Sequence, residues 1–587
     1  MAPNVPMGRL KSIAIIGLDG RFPGADSLEE LWLLLREGRN AVTQQKRWDM
    51  RLIDFDMLRP GTIISDRLGQ IANYDKFDDE FFGFRPGEAA STDPQFRLLL
   101  EVAWRALEHG GQLITRRAAK RVGVWVAAGA SDYRALAWRQ PHKLTPRAAI
   151  GTELSMLAHG ISQRLGCRGP SMVIDAGCCS VPVAVEYACR SLSDGDVDVA
   201  IVGAANLVLD PSSSVALSQA WALSARGECR PFDERADGYV RGEGIAVAVL
   251  RTLEDATVDG DPILAIVRAC ATYHGGHCED GLTNTLTTVL TRGLVSARVS
   301  AAEIDYVEAH AVGSPAHDAA ELRALVSVFT NVRLGSLKAN IGHLEWASGM
   351  ASIAKLCAMF KYRKIPPQIN LERPIEALSD TVFNVNRTPV GFGGRFAITN
   401  SISMGGLCST VVLEAPPLVR FRKPERLVPH LVALSAPDEE RLLRLGAAWA
   451  STDLDVRDVA WTTASRRPRL NVRGACIVQD TQSIVARQCT PATGVVWAFA
   501  GQGCQRAGMG LELAASCVAF ADALEEVGRA LSPHLNMSVG ELLNHPEIDN
   551  TRFSQPAIFA LQCALARMWT AWGVRPQVVL GHSVGEI

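Results

Sequence analysis

The adjacent thiols Cys178 and Cys179 stand where a short apolar run, Ser171 to Ala176, gives way through Gly177 to a helix-like pattern. Glycine permits a sharp turn, so the segment predicts a strand-to-helix elbow. A thiol at the N-terminus of a helix faces unpaired N–H groups and the positive end of the helix dipole, which favour the thiolate. The elbow therefore offers a nucleophile, although most single buried cysteines act only as small apolar side chains.

Two further segments carry side chains suited to proton transfer. His310 ends a strand-like run, and Lys338 and His343 lie in the Gly-punctuated stretch GSLKANIGHLEWASGM. Folds of the α/β class place functional residues at strand ends and in the loops that follow. Each histidine alone is more often structural than catalytic, but together with the elbow cysteine they indicate a site. A cysteine hydrolase is the simplest such site, yet it leaves the Lys338/His343 segment unexplained.

Alternating strand and helix patterns position these residues and predict a layered α/β domain as far as about residue 416. The predicted strands are 12–18, 122–128, 197–207, 244–253, 304–310 and 409–415, and helical patterns lie at 97–111 and 318–329. A Pro/Arg-rich connector at 414–430 follows, then a small αβ module, and a new strand begins within 494–503. The predicted divisions are a terminal segment 1–11 and domains 12–416, 417–493 and 494–587.

Composition narrows the class of protein. The 587 residues are 48% hydrophobic and 21% charged, which is ordinary for a globular chain of several domains. A net charge of −2 without a basic stripe argues against nucleic acid, and the absence of a signal peptide or long apolar run predicts a cytoplasmic protein without membrane contact. The 14 cysteines form no CxxC pairs, and the cluster YHGGHC at 273–278 lacks a second ligand pair, so no metal is predicted.

The order and the residue sequences of these segments closely resemble those of the ketosynthase domain of type I polyketide synthases and animal-type fatty acid synthases. The matching stretches are IAIIGLDGRFPGADSLEELWLLLREGRNAV, STDPQFRLLLEVAWRALE and CRPFDERADGYVRGEG, and the resemblance covers nearly all of residues 10–416. It implies a thiolase fold, in which two similar βαβαβαββ halves form a five-layer αβαβα core, usually in a homodimer.

The resemblance also implies roles for the site residues. The family elbow Asp-Thr-Ala-Cys-Ser-Ser aligns with residues 175–180, so Cys178 matches the nucleophile and Cys179 replaces a serine as a bystander. Cys178 is expected to take an acyl chain as a thioester from the phosphopantetheine arm of an acyl carrier protein, with no cofactor bound directly. His310 and His343 are expected to stabilise the enolate left when a malonyl-type extender loses CO₂.

Other family positions complete the expected site. Lys338 matches a lysine that organises it, by pairing with Glu321. The backbone N–H of Cys178 and one near Met404 and Gly405 are expected to hold the thioester oxygen.

Two motifs depart from the family pattern. His-Gly-Thr-Gly-Thr-Pro becomes HAVGSP, which narrows the loop at Ala311 and replaces the phosphopantetheine-contacting threonines by Val312 and Ser314. The closing GTNAH motif becomes Gly-Leu-Cys-Ser-Thr at 406–410. The surviving nucleophile and histidines favour a competent condensing enzyme, and the alternative is a non-extending ketosynthase that docks or gates carrier-bound chains. Release of CO₂ from the extender distinguishes the two.

The C-terminal segments at 499–510 and 554–569 resemble the acyltransferase that follows such ketosynthases, and 431–493 resembles the α/β linker domain between them. VVLGHSVGEI contains a G-x-S-x-G elbow around Ser583, and Gln502 is expected in the same pocket. The segment is therefore expected to be part of an α/β-hydrolase-like domain. The family's histidine base comes well after the elbow, whereas the sequence runs only to Ile587, so Ser583 in this chain is not expected to load malonyl-CoA rapidly.

Overall fold

The computed structural model describes residues 11–54, 59–112, 121–129, 131–276, 281–379, 383–417, 429–486, 488–489 and 494–587. Residues 1–10 of the predicted terminal segment, most of the predicted connector and the end of the YHGGHC cluster lie outside the described residues. The chain divides into two compact units, residues 1–487 and 488–587. The functional residues of the elbow and of both histidine segments all belong to the first unit.

Ten strands of the first unit form one mixed sheet. In spatial order they are Arg333–Gly335, Ile304–Glu308, Phe396–Ile402, Leu407–Glu414, Ala265–His274, Ile13–Arg21, Gly244–Thr252, Val199–Asn206, Val122–Ala127 and Ser171–Ile174. Short strand pairs accompany this sheet at Val42–Gln44 with Arg67–Gly69 and at Lys364–Ile365 with Val390–Gly391.

The sheet consists of two halves with the same topology. In each half the first strand along the chain lies innermost, followed outward by the fifth, fourth, second and third. The two inner pairings of each half are antiparallel and the two outer pairings are parallel. The halves meet where residues 13–15 pair with residues 265–267. This internal repeat is the one that the family resemblance implies.

Helices cover both faces of each half and produce five layers. The central layer is formed by Ser180–Ser193 and Ser348–Tyr362, whose apolar side chains share one core with inward residues such as Ile13, Ile15 and Val411. The next residues along a strand point outward, because strand side chains alternate. The outer helices are Pro94–His109 and Met156–Leu165 on one half, and Gly281–Ala297 and Pro315–Val328 on the other.

The remaining helices of this unit are shorter or peripheral. They are Leu28–Arg36, Asp132–Trp138, Ala148–Gly151, Ser212–Gln219, Leu253–Val258, Lys338–Ile341 and Glu376–Ser379. A small module packs strands His430–Ala436 and Val472–Val478 antiparallel, with helices Glu439–Ala450 and Val456–Ser465 against them.

The strands at Ala265–His274, Arg333–Gly335 and Phe396–Ile402 are not among those that the sequence patterns predict. The last of them carries polar residues in a fully buried strand, and Asn400 satisfies its side chain by bonds to Glu321 and Thr410. A buried strand that contains hydrogen-bonded polar side chains lacks the apolar pattern by which strands are predicted, so the pattern does not reveal it.

The second unit contains parallel strands Val496–Phe499 and Val578–Gly581. Its helices are Leu511–Ser516, Val518–Leu535, Val539–Leu543 and Thr551–Ala571, which pack around the buried side chain of Phe520. Across the described parts of both units, no helix combines the length and apolarity that a membrane crossing requires.

Candidate active site

The predicted elbow joins the edge strand Ser171–Ile174 to the central helix Ser180–Ser193. Gly177 has a left-handed φ of +58°. The Ser180 hydroxyl accepts a hydrogen bond from the Ala176 N–H at 2.8 Å and donates to the Gly177 carbonyl at 2.7 Å. The turn is therefore held by a serine inside the helix and by a glycine that accommodates the backbone.

Cys178 lies at this turn, and its Sγ atom is 3.1 Å from Nε2 of His343. The other ring nitrogen, Nδ1, is 3.2 Å from the hydroxyl of Ser348. The His343 backbone is fixed by its N–H, which donates to Val240, and by its carbonyl, which accepts from Gly242. The sequence-predicted thiol and histidine thus lie in direct contact, although 165 residues separate them.

His310 lies beside His343, and both histidines belong to the second half of the fold. The ring centroids of His310 and His343 are 5.2 Å apart and the planes meet at 88°. Burial holds the pKa of both rings well below the usual 6.5, and the nearby charge of Lys338 lowers both further. Both imidazoles are therefore neutral at physiological pH.

The loop after His310 is fixed by two buried carboxylates. The Glu321 carboxylate accepts from the backbone N–H groups of His310 and Ala311 at 2.9 and 2.8 Å. The Asp318 carboxylate accepts in the same way from Val312 and from the next residue, each at 3.1 Å. The altered HAVGSP segment is thus held through its backbone rather than through the side chains that differ from the family.

Lys338 is 1% exposed, and its Nζ atom is 3.4 Å from the carbonyl of Ala309. Burial lowers its pKa, and the carboxylates of Glu308 and Glu321 oppose that shift. The expected ion pair between Lys338 and Glu321 is not formed, because the Glu321 carboxylate receives the loop N–H groups and the Asn400 amide. Lys338 instead contacts the residue that precedes His310.

The expected thiolate character of Cys178 also needs correction. The helix begins at Ser180 with Cys179 as its N-cap, so Cys178 lies one position before the cap. Burial, followed by the neighbouring Cys179 thiol and the Glu345 carboxylate, raises the pKa of Cys178 to about 12. Desolvation outweighs the helix dipole here, and the resting thiol is neutral.

Cys179 points away from the reactive group. It is fully buried, and its Sγ atom donates to the carbonyl oxygens of Ser401 at 3.4 Å and Leu407 at 3.2 Å. Burial raises its pKa to about 11. These contacts leave Cys178 as the thiol that faces the cavity.

A cavity of about 710 Å³ opens onto Cys178, His310 and His343. Of the predicted pocket residues, Val312, Ser314 and Met404 line it. Met404 is 71% exposed, and the Gly405 carbonyl accepts a hydrogen bond from His274. The cavity is mostly apolar at its walls and carries neutral hydrogen-bonding groups at its base, which suits an acyl thioester.

The cavity lining includes residues that the sequence patterns did not predict, among them Arg241, Glu345, Trp346 and Trp221. Arg241 donates two hydrogen bonds to the Glu345 carboxylate, at 2.7 and 2.9 Å, and this buried ion pair lies beside the nucleophile. Both members occur in motifs singled out above, GYVRGEG and GHLEWASG, but neither spacing nor residue type indicates that the two segments meet.

In the second unit, Ser583 follows the strand Val578–Gly581 and begins a 3₁₀ turn. Its φ of +55° lies in the left-handed region, which is strained for a residue with a side chain. Gln502 donates to the Thr551 hydroxyl at 3.0 Å and accepts from Gln555 at 3.3 Å.

Comparison with known families assigns three segments. The family described as "Beta-ketoacyl synthase, N-terminal domain" matches residues 10–256, and "Beta-ketoacyl synthase, C-terminal domain" matches residues 264–372. The family described as "Acyl transferase domain" matches residues 496–587.

Among curated relatives, polyketide synthase GfsA of Streptomyces halstedii is 35% identical over 98% of this chain, which spans 8% of that protein. The phthioceranic/hydroxyphthioceranic acid synthase of Mycobacterium bovis is 33% identical, again over 98% of this chain, which spans 29% of its length.

Two solved structures share the fold. An oxazolomycin ketosynthase domain from Streptomyces albus superposes with a TM-score of 0.75 at 30% identity, covering 81% of this chain and 87% of that one. The ketosynthase from module 6 of the bacillaene synthase of Bacillus subtilis gives 0.71 at 28% identity, covering 81% and 83%. The five-layer arrangement described above is therefore the thiolase fold of ketosynthases.

Proposed function

Because the chain belongs to the beta-ketoacyl synthase family of polyketide synthases, we propose that its first unit catalyses decarboxylative Claisen condensation. An acyl chain on Cys178 is joined to a malonyl-type extender carried by an acyl carrier protein. The observation that carries this proposal is the contact between Cys178 and His343, with His310 edge-on to His343, at the base of an apolar cavity.

Loading of the acyl chain begins with a neutral thiol. Nε2 of His343 lies within reach of the thiol proton, and the neutral ring accepts it as Sγ attacks the thioester carbonyl. The carbon–sulfur bond to the pantetheine breaks, and the proton passes from His343 to the departing thiolate. The products are acyl-Cys178 and the free pantetheine thiol, so charge and protons balance.

Condensation uses the same histidines as donors. The Ser348 hydroxyl can accept from Nδ1 of His343 or donate to it, so the ring can present either a lone pair or an N–H at Nε2. When the extender loses CO₂, N–H groups of His310 and His343 stabilise the enolate oxygen. The enolate carbon then attacks the acyl carbonyl and the bond to Sγ breaks. The Cys178 thiolate that leaves takes up one proton from solvent, which balances the charge lost with CO₂.

Lys338 is proposed to act on the two histidines through its charge, and on His310 also through the loop that carries it. Burial lowers the pKa of both histidines, and the charge of Lys338 lowers it further, which favours the neutral rings that these steps need. The contact of Lys338 with the Ala309 carbonyl positions the backbone next to His310. Lys338 is therefore proposed as a positioning residue rather than one that touches substrate.

We propose that the phosphopantetheine arm of the carrier protein binds in the cavity. The proposed reaction uses no cofactor bound directly to the chain. Ser314 offers a hydroxyl on the cavity wall, whereas Val312 offers none. Backbone N–H groups of Cys178 and of the Met404–Gly405 segment are proposed to hold the thioester oxygen.

The changed side chain at Val312 favours one alternative, a ketosynthase that docks or gates carrier-bound chains without extending them. A valine cannot hydrogen-bond the arm, so the extender could bind too weakly for decarboxylation while acyl transfer to Cys178 persists. This alternative predicts acylation of Cys178 without release of CO₂.

The second unit is proposed to be the N-terminal part of an acyltransferase with Ser583 as its nucleophile and Gln502 in its pocket. The strained φ at Ser583 supports this assignment. The proposed divisions are ketosynthase 12–416, linker 417–493 and acyltransferase 494–587.

A homodimer is proposed through the edge strand Ser171–Ile174, which ends the ten-stranded sheet. Met172 on this strand is 39% exposed, and Tyr187 on the following helix is 52% exposed. A half-exposed apolar edge of this kind favours pairing with a second chain.

The direct test mixes the 587-residue chain with an acyl thioester and then with a malonyl-loaded carrier protein. Condensation predicts CO₂ and a β-ketoacyl carrier product by mass spectrometry. Acyl-Cys178 that persists with no CO₂, across several carriers, would favour the gating alternative instead.

A further inference from the structure

The side chain of Trp346 lies in the same cavity as Cys178 and is fixed from two directions. Its Nε1–H donates to Oδ1 of Asp175 at 2.8 Å, and the same oxygen accepts from the N–H of Gly177 at 3.0 Å. The indole is therefore tied to the backbone of the nucleophile elbow.

The indole also lies against Gly129, which follows the strand Val122–Ala127. A Cβ atom at residue 129 would overlap the five-membered ring of Trp346. The position thus has no side chain, and the ring occupies the space beside the strand end. An aromatic side chain held by a hydrogen bond and by close backbone contact cannot rotate away without losing both.

Two contacts join the loop of the nucleophile to the loop that carries Trp346. Cys178 contacts His343, and Asp175 contacts Trp346, so residues three apart on one loop meet residues three apart on the other. The indole therefore lines the cavity that Cys178 faces, on the same pair of loops that carries the nucleophile and His343.

We propose that Trp346 is a specificity-determining residue that limits the bulk of the acyl group accepted on Cys178. This inference rests on the proposed acylation of Cys178. Acyl groups that are small or unbranched near the thioester pass the fixed ring, whereas branched or aromatic groups meet it. Rigid walls discriminate by bulk because a packed site cannot expand without strain.

Trp221 provides a matched control. It lines the same cavity but is 70% exposed, and its side chain makes no hydrogen bond to any of the described residues. An indole that faces solvent does not bound the acyl group in the way that a fixed one does.

The experiment compares Trp346→Ala, Trp346→Phe and Trp221→Ala with the unaltered chain, using acetyl, propionyl, isobutyryl and benzoyl pantetheine thioesters, whose labels differ in mass, in competition. Intact-peptide mass spectrometry gives the ratio of bulky to small acyl groups on Cys178. Trp346→Ala is expected to raise this ratio by at least about tenfold, on the scale that pocket contacts discriminate. Trp346→Phe is expected to give a smaller rise, and Trp221→Ala to change all rates by a common factor.

Thermal unfolding of each variant accompanies the labelling, and Trp346→Phe serves if the alanine variant does not fold. An unchanged ratio in folded Trp346 variants that still label Cys178 would overturn this proposal alone. Failure of the unaltered chain to acylate Cys178 with any thioester would overturn the proposed function, and this inference with it.

Discussion

The Nε2 atom of His343 lies 3.1 Å from the Sγ atom of Cys178, and the two groups come from opposite halves of the repeated fold. This contact matters because the thiol pKa is raised to about 12 by burial, so the cysteine needs a neighbouring base to react at neutral pH. The site activates its nucleophile through a partner rather than through the helix alone.

The first prediction concerns pH. Acyl loading requires neutral His343, whose pKa is lowered well below 6.5 by burial, then by Lys338 and Arg241. Because the imidazolium cannot accept the thiol proton, the rate of acylation should fall only as pH drops below 6.5. Lys338→Met removes a positive charge, so the pKa of His343 rises and the acid limb moves to higher pH. The measurement is the pH profile of single-turnover acylation in the unaltered chain and in Lys338→Met. An acid limb at the same pH in the two proteins would contradict this role of Lys338.

The second prediction concerns the buried carboxylate at Glu321. Glu321→Gln replaces one acceptor oxygen by an amide, which leaves a buried loop N–H without its partner and costs about 1–3 kcal/mol of stability. His310 then moves, and malonyl decarboxylation should drop about tenfold or more. Asp318→Asn is the matched variant: it should destabilise similarly but retain more activity, because it leaves the amide of His310 paired. Equal losses of activity in both would contradict this assignment.

The third prediction concerns Gly177. Gly177→Ala forces a side chain into left-handed backbone, at about 1–2 kcal/mol, and places Cβ 2.6 Å from the Ser403 hydroxyl. Both stability and acylation should fall. Gly195→Ala, just beyond the other end of the same helix, has a φ of +76° and open space around Cβ, so only stability should fall. Chemical denaturation and acylation rates separate the two effects, and normal acylation in Gly177→Ala would refute the argument.

The fourth prediction distinguishes the twin thiols. Cys179→Ser keeps a donor for the carbonyls of Ser401 and Leu407, so the variant should fold and label at Cys178 as before. Cys178→Ser should lose rapid acylation, since a serine hydroxyl is a weaker nucleophile. Peptide mapping after an acyl-pantetheine pulse locates the label. Label on Cys179 in the unaltered chain would reverse the assignment.

Sequence patterns predicted the elbow, the layered α/β class and the segments that carry the histidines, because glycine turns and buried strands leave local signals. They did not predict the ion pair of Arg241 with Glu345, since that contact depends on two loops meeting across the fold. The raised pKa of Cys178 was missed for a related reason: a helix dipole is visible in sequence, but burial by distant segments is not. The same holds for Lys338, whose expected partner Glu321 is occupied by backbone N–H groups.

The most direct test of the central claim separates decarboxylation from acyl transfer. Cys178→Gln removes the nucleophile and places an uncharged amide where the acyl group stands, leaving His310 and His343 in the cavity. The histidine pair should then convert malonyl-carrier to acetyl-carrier with release of CO₂, without any acylation of the protein. Adding His310→Ala to that variant should reduce the rate by about 10²–10³ if one enolate donor is lost.

The measurement is the acetyl to malonyl ratio of the carrier protein by mass spectrometry, with a folded Cys179→Ser chain as the reference for condensation. We expect Cys178→Gln to release CO₂ and the added His310→Ala to suppress that release. If Cys178→Gln releases no CO₂ while the reference chain condenses, or if His310→Ala leaves the rate unchanged, the histidine pair does not stabilise the enolate and the account is contradicted.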